Sequence, residues 1–271
     1  MVFASGGMRG IAHFGALAEL ERYTTKTRFF VGTSAGSIAA CVACLGLRAK
    51  DVFDACILPH AYEKKLQIHL LTKEFGIDAG TSLDALIASI VPEGLTFSDI
   101  FRDTNRVLSV IATDVTSSSM AIFDPIRTPD MPVRLALRMS CSVPFLFTAV
   151  TYDDHVFVDG ALTSAFPIKT AMDTYGCTRI LGLNFETYAA TLNTEKTLSF
   201  ETYMNSIIDT VVHANSPYPG GSMRPGTHLD ICTIEMSPDV NGLAFDIGPD
   251  DKKELYECGR LSMRLFLKKK E

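Results

Sequence analysis

The chain has 271 residues, of which 47% are hydrophobic and 21% charged, and its formal net charge is −6. These values fit one large or two small folded domains, exclude an intrinsically disordered chain, and argue against nucleic acid as a partner. No apolar run is long enough to span a bilayer, and no signal peptide is visible. The seven cysteines are odd in number and scattered. We therefore expect an intracellular protein, cytoplasmic or peripheral on membranes, with reduced thiols.

Strands and helices alternate through most of the sequence, as hydrophobic periodicity and turn residues predict. The predicted strands lie at the N-terminus and at 28–32, 106–115, 120–124, 179–186 and 228–236, with a hairpin at 149–161. The predicted helices cover 11–23, 37–47, 132–143, 250–268 and regions near 167–175 and 199–213. Residues 50–92 are mainly helical in pattern, with a loop-like interruption at 74–82, and 216–227 is a predicted surface loop. This pattern predicts an α/β fold with a mostly parallel sheet between helices, in a single domain spanning residues 1–271.

The segment "GTSAG" at 32–36 follows a predicted strand and opens a predicted helix. That context suits a nucleophile elbow, a sharp turn whose neighbours must be small. Gly32, Ala35 and Gly36 meet this requirement, and the helix start would favour negative charge at Ser34. The alternative is an ordinary strand–loop–helix turn without chemistry.

The segment "SGGMRG" at 5–10 also lies between a strand and a helix. Its glycines allow the backbone to approach a ligand with N–H groups pointing inward. Such a loop can hold a phosphate or supply an oxyanion hole. The nucleotide alternative is the weaker, because Ser5 replaces the first glycine of G-x-G-x-x-G and no G-K-[ST] follows.

The segment "FVDGA" at 157–161 places Asp159 at the end of a predicted strand. Asp-Gly is often only a turn. A serine nucleophile nevertheless needs a base, and a fixed carboxylate beside it can accept the proton. Histidine is the usual alternative, and His213 or His228 would complete a Ser–Asp–His order.

These three segments, in this order, resemble the patatin-like phospholipases over roughly residues 1–185. The first is similar to their glycine-rich oxyanion motif, with Ser5 in place of its first glycine; the others are similar to their G-x-S-x-G and D-G-[GA] motifs. The resemblance implies a three-layer α/β/α sandwich and lipid acyl hydrolysis by a Ser–Asp dyad. It implies Ser34 as nucleophile, Asp159 as base, and an oxyanion hole formed by the N–H groups of Gly6, Gly7 and Met8. The motif-supporting positions are Arg9, Gly10, Gly32, Gly36 and Gly160.

The implied reaction is a two-step acyl transfer through an acyl-serine, without a cofactor or metal. The expected substrate is a phospholipid or other lipid ester, with transient contact to a membrane surface and an oligomeric state left open. An acyltransferase and a non-catalytic lipid-binding or storage protein are the alternatives. Residues 61–75 are either a lid or membrane-contacting segment or an amphipathic helix packed on the core.

Four further residues have interpretations that do not involve the reaction. His13 is expected to pack or make a supporting hydrogen bond, and Arg9 to be a structural ion-pair partner rather than a phosphate ligand. Cys41 and Cys44 form a single C-x-x-C, for which two small buried thiols are the favoured interpretation over a redox or metal site.

Overall fold

The computed structural model describes residues 1–62, 67–186, 200–215, 223–236 and 247–270. The described strands are β1 Val2–Phe3, β2 Phe29–Thr33, β3 Gly76–Asp78, β4 Val107–Asp114, β5 Ser119–Phe123, β6 Phe145–Phe147, β7 Val150–Tyr152, β8 His155–Asp159, β9 Arg179–Phe185 and β10 His228–Ile234. The described helices are α1 Ile11–Glu19, α2 Glu21–Thr24, α3 Ala35–Leu45, α4 Ala49–Val52, α5 Ile68–Leu71, α6 Thr81–Ile90, α7 Phe97–Thr104, α8 Val133–Ser140, α9 Ala161–Ser164, α10 Phe200–Ala214 and α11 Pro249–Lys268. A 3-10 turn at Gly7–Gly10 precedes α1, and π-helical turns cover Phe53–Ile57 and Thr170–Thr174.

Eight of these strands form one sheet in the order β10-β9-β1-β2-β4-β8-β7, with β5 also paired to β4. The strands from β10 to β4 are parallel to one another. Strands β5, β7 and β8 run antiparallel to their neighbours, so the mixed sheet agrees with the prediction of a mostly parallel one. The predicted hairpin is present, with Asp153 and Asp154 at its tip in left-handed conformations.

Two hydrophobic cores lie on opposite faces of the sheet, because successive strand side chains point to opposite sides. Phe3 and Phe30 belong to the larger core, which also receives apolar residues of α1, α3, α8 and α11. Val2 and Val31 belong to a smaller core with residues of the 166–172 segment. The predicted arrangement of a sheet between two helical layers is therefore confirmed.

Helix α11 is held very close to α1. A Cβ atom on Gly15 would lie 1.8 Å from the Tyr256 carbonyl oxygen, and one on Gly259 would lie 1.8 Å from the Ala12 carbonyl oxygen. Only residues without a side chain allow this approach. The contact fixes the C-terminal helix against the larger core and so places its buried residue Lys252.

Some elements differ from their predictions. The predicted helix 11–23 is divided at Leu20 into α1 and α2. The interruption at 74–82 contains β3, which pairs in parallel with β6 as a separate two-stranded sheet, and neither strand was predicted. Helix α7 was not predicted either. Much of the predicted loop at 216–227 lies outside the described residues. None of the described helices has both the length and the apolar character needed to cross a bilayer.

Candidate active site

Ser34 lies between β2 and α3 on a strained turn. Its backbone has φ 54° and ψ −131°, a conformation that residues with a side chain rarely adopt. The turn is possible because the residues around it are small: a Cβ atom on Gly32 would lie 2.3 Å from the Gly36 carbonyl oxygen. A Cβ atom on Gly36 would lie 2.4 Å from the Ala4 carbonyl oxygen. This strand–turn–helix geometry is the local context that a nucleophile elbow requires.

The Ser34 hydroxyl donates a hydrogen bond to Asp159, with 2.6 Å between Oγ and Oδ2. Asp159 ends β8, opposite Ala112 of β4, and its second oxygen Oδ1 accepts from the Ala161 N–H at 2.8 Å. Both residues are buried, with 5% of Ser34 and 4% of Asp159 exposed. The carboxylate is therefore held in one orientation beside the hydroxyl.

Burial raises the pKa of Asp159 from 3.8 to about 6, although its hydrogen bonds with Ser34 and Ala161 lower the pKa in part. The carboxylate is still ionised at neutral pH, and it is more basic than an exposed aspartate. A base whose pKa lies near the working pH is suited to proton transfer.

Two serines that were not predicted from the sequence hold the backbone of Ser34 and Asp159 in place. The Ser140 hydroxyl accepts from the Ser34 N–H at 2.8 Å and donates to the Ile111 carbonyl at 2.5 Å. The Ser142 carbonyl accepts from the Asp159 N–H at 2.8 Å. Both serines are fully buried at the end of α8. The segment "RMSCS" offered one signal, since polar residues within a buried helical pattern need partners.

The glycine-rich loop lies next to Ser34. Gly7 has φ 54°, and Gly7 and Met8 begin the 3-10 turn and line the same cavity as Ser34. Within the described residues, the N–H groups of Gly6, Gly7 and Met8 donate to no protein acceptor. Ser5 donates its N–H to Ala165 at 2.7 Å and so remains part of the turn despite its side chain.

The remaining motif glycines are sites of close packing. A Cβ atom would lie 2.4 Å from the Phe185 ring at Gly6, 2.4 Å from the Ala35 Cβ at Gly10, and 2.2 Å from the Ile111 carbonyl oxygen at Gly160. These contacts hold the glycine loop, α3 and the end of β8 against one another.

Arg9 and His13 are near this site without touching Ser34 or Asp159. The Arg9 guanidinium lies over the Phe185 ring, and burial lowers its pKa while the charge of Asp209 raises it. His13 is fully buried, with Nε2 donating to the Ala4 carbonyl at 2.9 Å. Burial lowers the pKa of His13 to about 4, so the ring is neutral at physiological pH.

Three further histidines, of which His213 and His228 were candidate bases, lie away from Ser34. His155 contacts Asp114 at 2.7 Å and belongs to the hairpin. His228 lies 3.6 Å from Asp230, and His213 is exposed on α10. Neither His213 nor His228 is among the residues around the Ser34 cavity. Cys41 and Cys44 are buried free thiols, and burial raises the pKa of both.

A mainly apolar cavity opens beside Ser34. Its wall contains side chains from the glycine loop, α1, α3, α6 and the segment after α8; the apolar members are Met8, Ile11, Phe14, Ile38, Ile57, Leu83, Leu86, Ile90, Val143 and Phe147. Among the described residues, the polar side chains of His60, Tyr62 and Lys252 line it in addition to Ser34. The mainly apolar lining of this cavity suits a hydrocarbon chain.

The sequence profile of the patatin-like phospholipases matches residues 1–172. The chain belongs to this family. The patatin-like chain is 27% identical over 184 residues to "Probable lipid hydrolase 463L" of Invertebrate iridescent virus 6, covering 64% of this chain and 62% of the viral protein. It thus spans less than two thirds of that relative. It is also 25% identical over 280 residues to "Uncharacterized protein R571" of Acanthamoeba polyphaga mimivirus, covering 97% and 92% of the two chains.

Among solved structures, this patatin-like chain is similar in fold to VipD from Legionella pneumophila. The TM-score is 0.54 at 14% identity, and the match covers 98% of this chain and 66% of VipD. This similarity concerns the fold alone, and it agrees with the α/β architecture expected from the sequence.

Proposed function

We propose that this patatin-like chain is a serine lipid acyl hydrolase, of phospholipase A or lysophospholipase type, in which Ser34 and Asp159 form the catalytic dyad. The observation that carries the proposal is the 2.6 Å hydrogen bond from Ser34 Oγ to Asp159 Oδ2 on a strained turn beside an apolar cavity. Membership of the family and the likeness to a probable lipid hydrolase support lipid esters as the substrate class.

In the first step, Asp159 Oδ2 takes the hydroxyl proton as Ser34 Oγ attacks the ester carbonyl carbon. The carbonyl oxygen becomes an oxyanion, for which the N–H groups of Gly6, Gly7 and Met8 are the proposed donors; one such donor is typically worth about 3 kcal/mol of barrier. The tetrahedral intermediate then collapses. The leaving alcohol takes the proton from Asp159, and the acyl group remains on Ser34.

In the second step, Asp159 takes a proton from water as the water oxygen attacks the acyl-serine. Collapse of this intermediate releases the fatty acid and returns the proton to Ser34 Oγ. Asp159 thus acts as base and acid in turn, and its raised pKa suits both roles. An alcohol or lysolipid in place of water would give the transferase alternative.

The substrate of such an enzyme must leave a lipid surface, and an exposed apolar patch lies near the cavity. Phe75 and Phe145 are 58% and 41% exposed, and Ile68 is 76% exposed. Phe75 precedes β3, and Phe145 is the register partner of Gly76 in the small sheet, whose residue Phe147 lines the cavity. Phe75 and Phe145 both have positive φ, at 63° and 66°. We propose that this patch contacts the membrane surface.

The decisive experiment is mass-spectrometric product analysis on a mixed panel of phospholipids, lysophospholipids and acylglycerols, with the Ser34→Ala protein as control. We expect the unmodified protein to release free fatty acid and the Ser34→Ala protein to release none. Addition of an acceptor alcohol would redirect the product to its ester if the transferase alternative holds. Absence of both products across the panel would favour the non-catalytic lipid-binding alternative.

The patch has its own test in sedimentation with phospholipid vesicles. The double variant Phe75→Ser, Phe145→Ser should bind vesicles at least tenfold more weakly. Ile126→Ser is the matched control, because Ile126 is 70% exposed but does not line the cavity. Equal vesicle binding by both variants would contradict the assignment of the patch.

A further inference from the structure

Lys252 on α11 is a buried cation without an acidic partner among the described residues. Only 5% of its surface is exposed, and its Nζ donates to the carbonyl oxygens of Ile57, at 3.1 Å, and of His60. Burial lowers the pKa of Lys252. An ammonium has three N–H donors, so these two carbonyls leave one donor unused, and Lys252 lines the cavity that contains Ser34.

His60 provides the complementary group. Its Nε2 atom is buried and has no hydrogen-bond partner among the described residues, and His60 lines the same cavity. Burial, and then the charge of Lys252, lower the pKa of His60, whereas a hydrogen bond with the Ser82 backbone raises it. Because Nε2 has no partner among the described residues, the hydrogen bond with the Ser82 backbone is assigned to Nδ1, which donates to the carbonyl, and the neutral ring then carries a lone pair on Nε2.

A donor and an acceptor thus stand together in a wall that is otherwise mainly apolar, and Nζ of Lys252 contacts the carbonyl of His60 itself. A methyl terminus or a plain methylene chain satisfies neither of them. A carboxylate would accept from Lys252 but would meet the lone pair of His60. A hydroxyl satisfies both, since it accepts from Nζ and donates to Nε2.

We propose that the side chains of His60 and Lys252 together bind a hydroxyl group on the acyl chain of the substrate. These two residues are called the His60–Lys252 pair. The enzyme would then select hydroxylated acyl chains over plain ones, with the ester at Ser34 and the hydroxyl at the pair. This inference rests on the proposed hydrolase function and specifies its substrate class.

The test compares para-nitrophenyl esters of straight-chain acids with six to sixteen carbons, each as a plain ester, an ω-hydroxy ester and an ω-carboxy ester. The readout is kcat/KM of the ω-hydroxy ester divided by that of the plain ester of equal length. We expect this ratio to pass through a maximum of about tenfold at one length, where the hydroxyl reaches the pair. At other lengths the ratio should fall below one, because an unpaired hydroxyl is costly in an apolar cavity.

The maximum should disappear in His60→Phe, which keeps the backbone carbonyl that Lys252 contacts, and in Lys252→Met. Lys253→Met is the matched control, since Lys253 is exposed and pairs with Asp250, and it should keep the maximum. Because the readout is a ratio of two substrates, a variant that folds in lower yield still gives a valid value.

Three results would overturn the assignment: plain esters faster at every length, a maximum retained in both pair variants, or the ω-carboxy ester preferred at the favoured length. In each of these the hydrolysis itself still occurs, so the proposed function stands. Hydrolysis of no ester at any length would instead contradict the proposed function and this inference together.

Discussion

The proposed dyad and the His60–Lys252 pair lie at the same cavity, which Ser34, His60 and Lys252 line, yet their hydrogen bonding differs. Ser34 and Asp159 are bonded to each other, and the backbone around them is bonded to Ser140 and Ser142. In the pair, Nε2 of His60 has no hydrogen-bond partner and Lys252 has no carboxylate partner within the part of the chain that the structure describes, and Lys252 donates only to carbonyl oxygens. The first arrangement is complete without a ligand, as expected of preorganised reaction chemistry. The second has a hydrogen-bond acceptor on His60 and a donor on Lys252 without described partners, as expected of a site that a ligand completes.

The largest expected effect separates Asp159 from the histidines as the base. Asp159→Asn keeps the size of the side chain, and its amide oxygen can still accept from the Ala161 N–H, but the amide cannot take the Ser34 proton, so turnover should fall by about 10⁴-fold or more, as in Ser34→Ala. His213→Ala and His228→Ala should stay within about twofold of the unmodified protein, since neither lies at the cavity. Steady-state hydrolysis of a para-nitrophenyl ester measures all four. A histidine variant as inactive as Ser34→Ala would establish the triad instead.

Asp159→Asn should also stabilise the fold at neutral pH. The pKa of Asp159 is raised from 3.8 to about 6, so the native state favours the neutral form. Above pH 6 its charge therefore costs about 3 kcal/mol of unfolding free energy, which is relieved as the pH falls from 6 to below 4. Urea unfolding should show Asp159→Asn more stable at pH 8 by about this amount, with the difference gone near pH 3.5. A less stable variant at pH 8 would contradict the buried-charge argument.

The pH dependence of catalysis should be set by the ionisation of Asp159 and not by that of His60. The base must be ionised, so kcat/KM should fall about tenfold per pH unit below about pH 6. The ring of His60, whose pKa is lowered, is neutral and has no part in this fall of kcat/KM at acidic pH. The profile of His60→Phe on a plain ester should therefore have the same midpoint. A midpoint displaced by a full unit would mean that the two groups of residues are coupled.

Ser140 tests whether the backbone of the dyad needs its support. Ser140→Ala removes the acceptor of the Ser34 N–H and the donor to the Ile111 carbonyl. We expect a loss of about 1–3 kcal/mol in unfolding free energy and a fall in kcat of roughly tenfold. Ser89→Ala is the control, because Ser89 is exposed on α6. A Ser140 variant as stable and active as the control would show that the turn holds Ser34 unaided.

The smallest effect concerns the strain at Ser34. Glycine tolerates positive φ and alanine does not, so Ser34→Gly should be more stable than Ser34→Ala by about 1–2 kcal/mol. Both variants lack the hydroxyl and should be inactive. Thermal unfolding in parallel measures the difference. Equal melting temperatures would mean that the turn relaxes when the hydroxyl is removed.

Sequence patterns predicted those strands, turns and helices that are determined by residues close together in the chain. Strand β2, the turn at Ser34 and helix α3 form one continuous pattern, and the hairpin at 149–161 has its turn residues at the tip. The dyad joins residues 125 apart in the chain, and only the family resemblance linked them. The small sheet of β3 and β6 was not predicted, because its strands of three residues are too short for a period to be visible. Helix α7 had a usable signal in its capping box at Thr96 and Asp99.

The His60–Lys252 pair could not be predicted from the sequence. Its members are 192 residues apart, and each alone is an ordinary polar residue. Their meeting depends on the close packing of α11 on α1 at Gly15 and Gly259, which no local pattern encodes. Contacts of this kind become visible only when the helices are packed.

The central claim, that Ser34 carries the acyl group, is tested most directly by trapping the acyl-enzyme. The protein is mixed with a para-nitrophenyl ester, quenched in acid within milliseconds and digested with trypsin, which releases the peptide 29–48 between Arg28 and Arg48. Fragmentation of this peptide should place one acyl group on Ser34 and none on Ser37, with no adduct in Ser34→Ala. An acyl group found on another residue, or ester hydrolysis that persists in Ser34→Ala, would contradict the account.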